Sequence, residues 1–117
     1  MTLKYSVALI PYEDSNGFTT FVYDIAGAIA QGDTREEAKY EVLLALEDIL
    51  EDNYFEQERP VPLSTSIEDI TIEDIESHFD TVRLNGCAKE YLDYIELSEE
   101  LSRKILEHNK KLCLYVA

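Results

Sequence analysis

The sequence is poor in the residues that most specialised chemistry needs. It has no tryptophan, one methionine, two cysteines, three prolines and four glycines among 117 residues. Two cysteines, Cys87 and Cys113, cannot build the dense disulfide framework of a small secreted protein, and both are expected as reduced thiols. The four glycines punctuate strand-like segments and leave no glycine-rich loop to cradle a phosphate. No apolar run approaches the roughly 18 residues of a membrane span. Met1-Thr2-Leu3-Lys4-Tyr5-Ser6 lacks the apolar core of a secretion signal, so the expected location is cytoplasmic. Bases are also scarce, ten against 25 acids, for a formal net charge of −15. Such a surface repels phosphate backbones and steers basic partners inward. Residues 1–60 hold only Lys4, Arg35, Lys39 and Arg59; the other bases lie between Arg83 and Lys111.

What is present is an ordinary core. Hydrophobic residues make up 45% of a chain whose length suits one compact domain. Lys4 to Ile10 alternates with the period of a strand, Tyr5, Val7 and Leu9 on one face and Ser6 and Ala8 on the other. Asn16-Gly17 is a hairpin signal, and Phe18 to Tyr23 is a second strand rich in β-branched and aromatic residues. Asp24 to Gly27 breaks the chain before a short third strand at Ala28–Ala30, ended by Gly32. Asp33 and Thr34 are N-cap types, and Thr34-Arg35-Glu36-Glu37 reads as a capping box. The helix it opens carries Ala38, Val42, Ala45, Leu46 and Ile49 on one face, which should cover the meander. Pro60 and Pro62 forbid its continuation.

Beyond a connecting loop, a short helix is expected at about Ile72–His78 and a fourth strand at Phe79–Leu84. Tyr91–Leu97 alternates imperfectly as another strand, and Ser98 caps a helix carrying Leu101, Ile105 and Leu106. Leu112–Val116 reads as a terminal strand or strand-like tail, whose open edge would favour homo-oligomers. The expected fold class is α+β, an antiparallel β-meander of three to four strands packed on one main helix. Residues 1–66 form its β-β-β-α core and residues 67–117 the C-terminal part of the same domain.

The stretch from Gly17 to Ala38 carries a family pattern. A glycine-aromatic strand start at Gly17-Phe18 leads to the turn Asp24-Ile25-Ala26-Gly27. Gln31-Gly32-Asp33-Thr34 and the helix start Glu36-Glu37-Ala38 follow. This spacing resembles the HicB-like antitoxins over roughly residues 4–63. The resemblance implies a β-β-β-α-β unit like a partial ribonuclease H fold. It also implies binding to a small basic ribonuclease toxin whose active site is covered. Many such proteins carry a C-terminal DNA-binding module as well. Here Tyr23 and Ala26 stand where prolines are usual, and Ala28 where a cysteine is. Tyr94–Leu101 has the look of a ribbon-helix-helix start without a second helix, so DNA binding is not expected. Gly17, Asp24, Gly27, Gly32, Asp33, Thr34 and Glu37 are read as fold-defining, through turns and caps.

No catalytic constellation stands out. Asp24 and Asp33 suit turns and caps better than metal ligation. The pairs Glu68-Asp69 and Glu73-Asp74 lack the spacing of a calcium loop, and His78 and His108 are isolated. No catalytic residue, metal, cofactor or enzymatic activity is expected. Binding fits better, because the helix from Thr34 to Glu58 is densely acidic and residues 67–80 add six acids and no base. Tyr12, Glu47, Asp48, Glu51, Asp52, Tyr54 and Phe55 are the expected partner contacts, aromatics anchoring and acids complementing a basic toxin. Tyr54 and Phe55 equally suit a role sealing the core. Two other readings stand beside the antitoxin. One is a repurposed inhibitor or immunity protein, phage-borne and mimicking nucleic acid. The other is a transcriptional autoregulator binding DNA through Arg83, Lys89, Arg103, Lys104, Lys110 and Lys111. Glu90, Glu96, Glu99, Glu100 and Glu107 interleave with those bases and argue against the latter.

Overall fold

A computed structural model describes residues 1–78 and 83–116, with side chains as far as residue 113. The elements are β1 (Lys4–Pro11), β2 (Phe18–Val22), β3 (Ile29–Gly32), α1 (Arg35–Ile49), α2 (Ile72–Glu76), β4 (Leu92–Glu96) and α3 (Glu99–Val116). A π-helical turn at Leu50–Phe55 extends α1, and short 3₁₀ turns occupy Ile67–Asp69 and Ala88–Tyr91. The sheet runs β3-β2-β1-β4 with antiparallel neighbours. This is the α+β meander the sequence predicts, with β4 added beside β1. Among the described residues no helix is long and apolar enough to cross a membrane.

Strand alternation divides the sheet into two faces. Tyr5, Val7, Val22 and Ile95 point to one, where Val42, Leu46 and Leu50 cover them and Ile105 of α3 closes the end. Ala8, Ile10, Phe21 and Leu92 point to the other, under Ile70 and Ile75. β1 is central and covered on both sides, which is why Tyr5 through Ile10 are all buried.

The register carries Phe21 opposite Ile29, so β3 begins one residue later than Ala28 and runs to Gly32. Gly32 must be glycine for contact reasons: a Cβ there would lie 2.4 Å from the backbone nitrogen of Ala38. Gly17 sits at φ +126°, where a side chain would also strike the Tyr12 ring.

Helix starts follow the caps. Thr34 Oγ1 accepts from the Glu37 N–H at 3.1 Å, with Glu36 and Glu37 in the first turn where the dipole favours them. The reciprocal box forms in α2 instead, where Thr71 and Asp74 each bond the other's backbone N–H. Hydrogen bonds to its carboxylate from the Thr71 backbone N–H, first, and from the Thr71 side chain hold Asp74 below its ordinary pKa. α2 ends at Glu76, two residues short of the expected His78. Residues 79–82 of the strand expected at Phe79–Leu84 lie outside the described residues, and Arg83 and Leu84 are in no strand.

One expectation is corrected. Leu112–Val116 is not a terminal strand but the last turns of α3. Ser98 Oγ accepts from the Leu101 N–H, and no glycine or proline interrupts the chain from Glu99 to Val116. The open strand edge expected there does not exist.

The loop after Pro60 is less a connector than a strap. Asn109 of α3 clamps Val61 through both backbone groups, at 2.8 and 2.9 Å. The Tyr5 hydroxyl donates to the Pro62 carbonyl at 2.7 Å; burial pushes its pKa up to about 12, with Asp24 and Tyr54 adding to the shift. Ser6 N–H donates to Ser64 Oγ, and Asp24 accepts from both the N–H and the hydroxyl of Thr65. Asp24 therefore holds the strap as well as the turn.

Candidate protein-binding surface

Ala38, Val42, Leu46 and Leu50 are buried at every fourth position, and Tyr54 continues the series. Four residues of α-helix overshoot one turn by about 40°, so a straight helix would carry Tyr54 well off the core face. The wider π turn, marked by the Glu56 N–H donating to the Glu51 carbonyl, turns the helix back. Tyr54 is consequently only 8% exposed, with the Arg59 guanidinium 5.2 Å from its ring centroid.

The opposite side of α1 faces outward. Tyr40 and Leu44 stand there one turn apart, 60% and 41% exposed. Glu36, Glu37, Glu41, Glu47 and Asp48 are exposed around them. An apolar pair inside an acidic rim is a surface that a partner with a basic rim can dehydrate and neutralise at once. Sequence reasoning missed both anchors, although the signal was there: each lies two residues from the core stripe, about 200° around the helix.

The residues expected at the site divide into three places. Glu47, Glu51 and Phe55 line one groove of about 310 Å³ with Ser98, Glu100, Leu101 and Lys104. Lys104 fills part of it, its Nζ 2.9 Å from Glu51 Oε2 and 4.5 Å from the Phe55 ring centroid. His108 meets the Phe55 ring edge-on at 5.0 Å. Asp48, in the last turn of α1, and Asp52, in its π-helical extension, are exposed. Tyr54 lies in the core, and Tyr12 lines a separate groove at the hairpin end with Ile10, Arg83 and Tyr91. Of the fold-defining set, Gly27 turns the chain at φ +90° beneath Ile49, Thr34 caps α1, and Asp33 is exposed beside that cap.

Two bases of α1 converge on one acid of β4. Lys39 and Arg35 reach Asp93 at 3.1 and 3.6 Å. Partial burial raises the Asp93 pKa, but the Tyr94 N–H and these two bases outweigh it and hold the carboxyl low. Cys87 and Cys113 are free and exposed. Among the described residues no three His, Cys, Asp or Glu side chains cluster so as to hold a metal ion.

No protein-family profile matches the chain. A curated relative does: the chain is 34% identical over 103 residues to a Photorhabdus laumondii protein named Antitoxin HicB 1. The match takes in 87% of this chain and 65% of the relative, so the chain spans less than two-thirds of that protein's length. It runs well beyond the Gly17–Ala38 pattern, and over it the chain is similar to the HicB-like antitoxins.

Proposed function

We infer that this chain is a non-enzymatic antitoxin that binds and neutralises a small basic ribonuclease toxin. The contact is the outer face of α1, and inhibition is occlusion of the toxin's active or RNA-binding surface. One observation carries this reading: the exposed Tyr40–Leu44 pair is set in the acidic face of a helix, in a chain of net charge −15. The name of the relative supports the class of activity. The acids bring a basic nuclease in and compete with its RNA; Tyr40 and Leu44 then supply the desolvated contact that slows its release.

The test is calorimetric titration of the chain with the small basic protein encoded beside it. Tyr40→Ser with Leu44→Ser weakens binding about 30-fold or more, as loss of an interface anchor does. Glu47→Gln with Asp48→Asn lowers the association rate and flattens its salt dependence. Undiminished affinity in both double variants rules out this face; absence of binding at low salt rules out the antitoxin reading itself.

A further inference from the structure

The outward stripe of α1 does not stop at Leu44. Glu47, Glu51 and Phe55 continue it at spacings of three, four and four residues, each about one helical turn on. These three line the groove of about 310 Å³ whose far wall includes Glu100, Leu101 and Lys104. The groove therefore begins one turn beyond the exposed Tyr40–Leu44 pair, on the same helix face.

Its lining suits a cation, and it already holds one. The Lys104 ammonium stands over the Phe55 ring, 4.5 Å from the centroid, and donates to Glu51 Oε2 at 2.9 Å. An aromatic face beside a carboxylate is an arrangement that takes an alkyl-linked cation. Phe55 is steadied from behind. It packs partly buried against the core, and His108 meets it edge-on with a ring nitrogen 2.8 Å from the Arg59 carbonyl. One ammonium nevertheless leaves the groove short of positive charge. Among the described residues Glu47 and Glu100 are exposed and in no ion pair. Three carboxylates thus line the groove against one lysine, and both Lys104 and Glu51 are half exposed. A pair of that kind is weak and opens readily.

We propose that this groove is a socket for an arginine side chain of the basic partner, with Lys104 a tethered competitor that the arginine displaces. The identity of the partner rests on the antitoxin reading above. The choice of arginine follows from shape. A planar guanidinium lies flat on the Phe55 ring and has five N–H donors to reach more than one carboxylate at once. A lysine ammonium is a point charge with three. Nucleic acid is repelled by the same carboxylates, and an apolar side chain would strip them of water without pairing them. Once displaced, Lys104 moves into solvent on its flexible stem. The arrangement is selective: a partner offering only lysine replaces one ammonium by another and gains little, whereas a well-placed arginine gains the unpaired acids.

The probe is a blocked tripeptide, acetyl-Gly-Arg-Gly-amide, with acetyl-Gly-Lys-Gly-amide as its control. Each is titrated into the full chain and followed by proton NMR at about 0.15 M salt, where charges beyond about 8 Å are largely screened. The Lys104 side-chain protons, shifted upfield by the Phe55 ring, return toward their free positions as the arginine peptide binds. The lysine peptide moves them less at equal concentration. Lys104→Met tightens arginine binding about threefold or more, since the plugged fraction no longer counts against the ligand. Lys110→Met removes the same charge elsewhere on α3 and changes affinity less than about 1.5-fold. Glu100→Gln weakens arginine binding, and Phe55→Leu erases the preference for arginine over lysine. If Phe55→Leu lowers the circular-dichroism melting point, Glu100→Gln decides in its place. Lys104 protons unmoved by the arginine peptide, or equal effects of Lys104→Met and Lys110→Met, overturn the socket. Titration with the basic toxin keeps the two readings apart. Toxin affinity that Lys104→Met leaves unchanged counts against the socket alone. A toxin that fails to bind, while the arginine peptide still displaces Lys104, counts against the antitoxin reading alone.

Discussion

At the scale of the residue, Glu58 is the clearest misfit between composition and conformation. It holds φ +54° and is the one described non-glycine residue with positive φ. The Arg59 N–H returns to the Tyr54 carbonyl at 2.9 Å across it, and the Glu58 N–H to Phe55 at 3.3 Å. This is the left-handed helix exit that glycine normally fills, and a side chain there costs about 1–2 kcal/mol. Glycine's greater freedom in the unfolded chain offsets part of that. Glu58→Gly should therefore raise stability by about 0.5–1 kcal/mol, read as a higher urea midpoint with an unchanged slope. A lower midpoint would mean that Glu58 makes a compensating contact. Pro60 announced that the helix must end, but nothing in Gln57-Glu58-Arg59 announced a left-handed exit. Tyr54 was similarly ambiguous on the page, because the π turn that draws it into the core has no local sequence signature. Tyr40 and Leu44 are legible in the sequence as apolar residues on the outward stripe of α1, each two positions from the core stripe.

At the scale of the element, alternation and capping read well where one physical signal dominates. β1 and β2 announced themselves by period and by Asn16-Gly17, and α1 by its cap and its four-residue apolar spacing. Leu112–Val116 misled because an apolar run of strand length looks alike in a strand and in a helix end. The strap was illegible for a different reason: its bonds join residues far apart in sequence, Val61 with Asn109 and Asp24 with Thr65. Its energetic weight can be measured. Val61 is 3% exposed, and Asn109 is the side chain bonded to both its N–H and its carbonyl. Asn109→Ala leaves two buried polar groups unpaired and should cost about 1–3 kcal/mol. Amide hydrogen exchange at Val61 should accelerate more than global unfolding requires. A loss below about 0.5 kcal/mol would mean that water replaces the amide without penalty.

At the scale of the whole molecule, the deciding quantity is charge. The fold extends 48 Å along its long axis and 25 Å across, and 25 acids are spread over it against ten bases. At about 0.01 M salt the screening length is about 30 Å, so acids on opposite sides still repel one another; at about 1 M it falls to about 3 Å. The attractive pairs cannot balance this. Asp93 with Lys39 and Arg35, and Glu51 with Lys104, are all partly exposed. Such pairs contribute about 0–1 kcal/mol each. Net repulsion therefore prevails, and added potassium chloride should stabilise the fold by about 1 kcal/mol, seen as a rise of several degrees in the melting midpoint. The same salt should weaken binding to a basic partner at α1, since that contact joins opposite charges. A midpoint that falls with salt would instead show that the Asp93 cluster outweighs the repulsion, and Asp93→Asn would then abolish the fall.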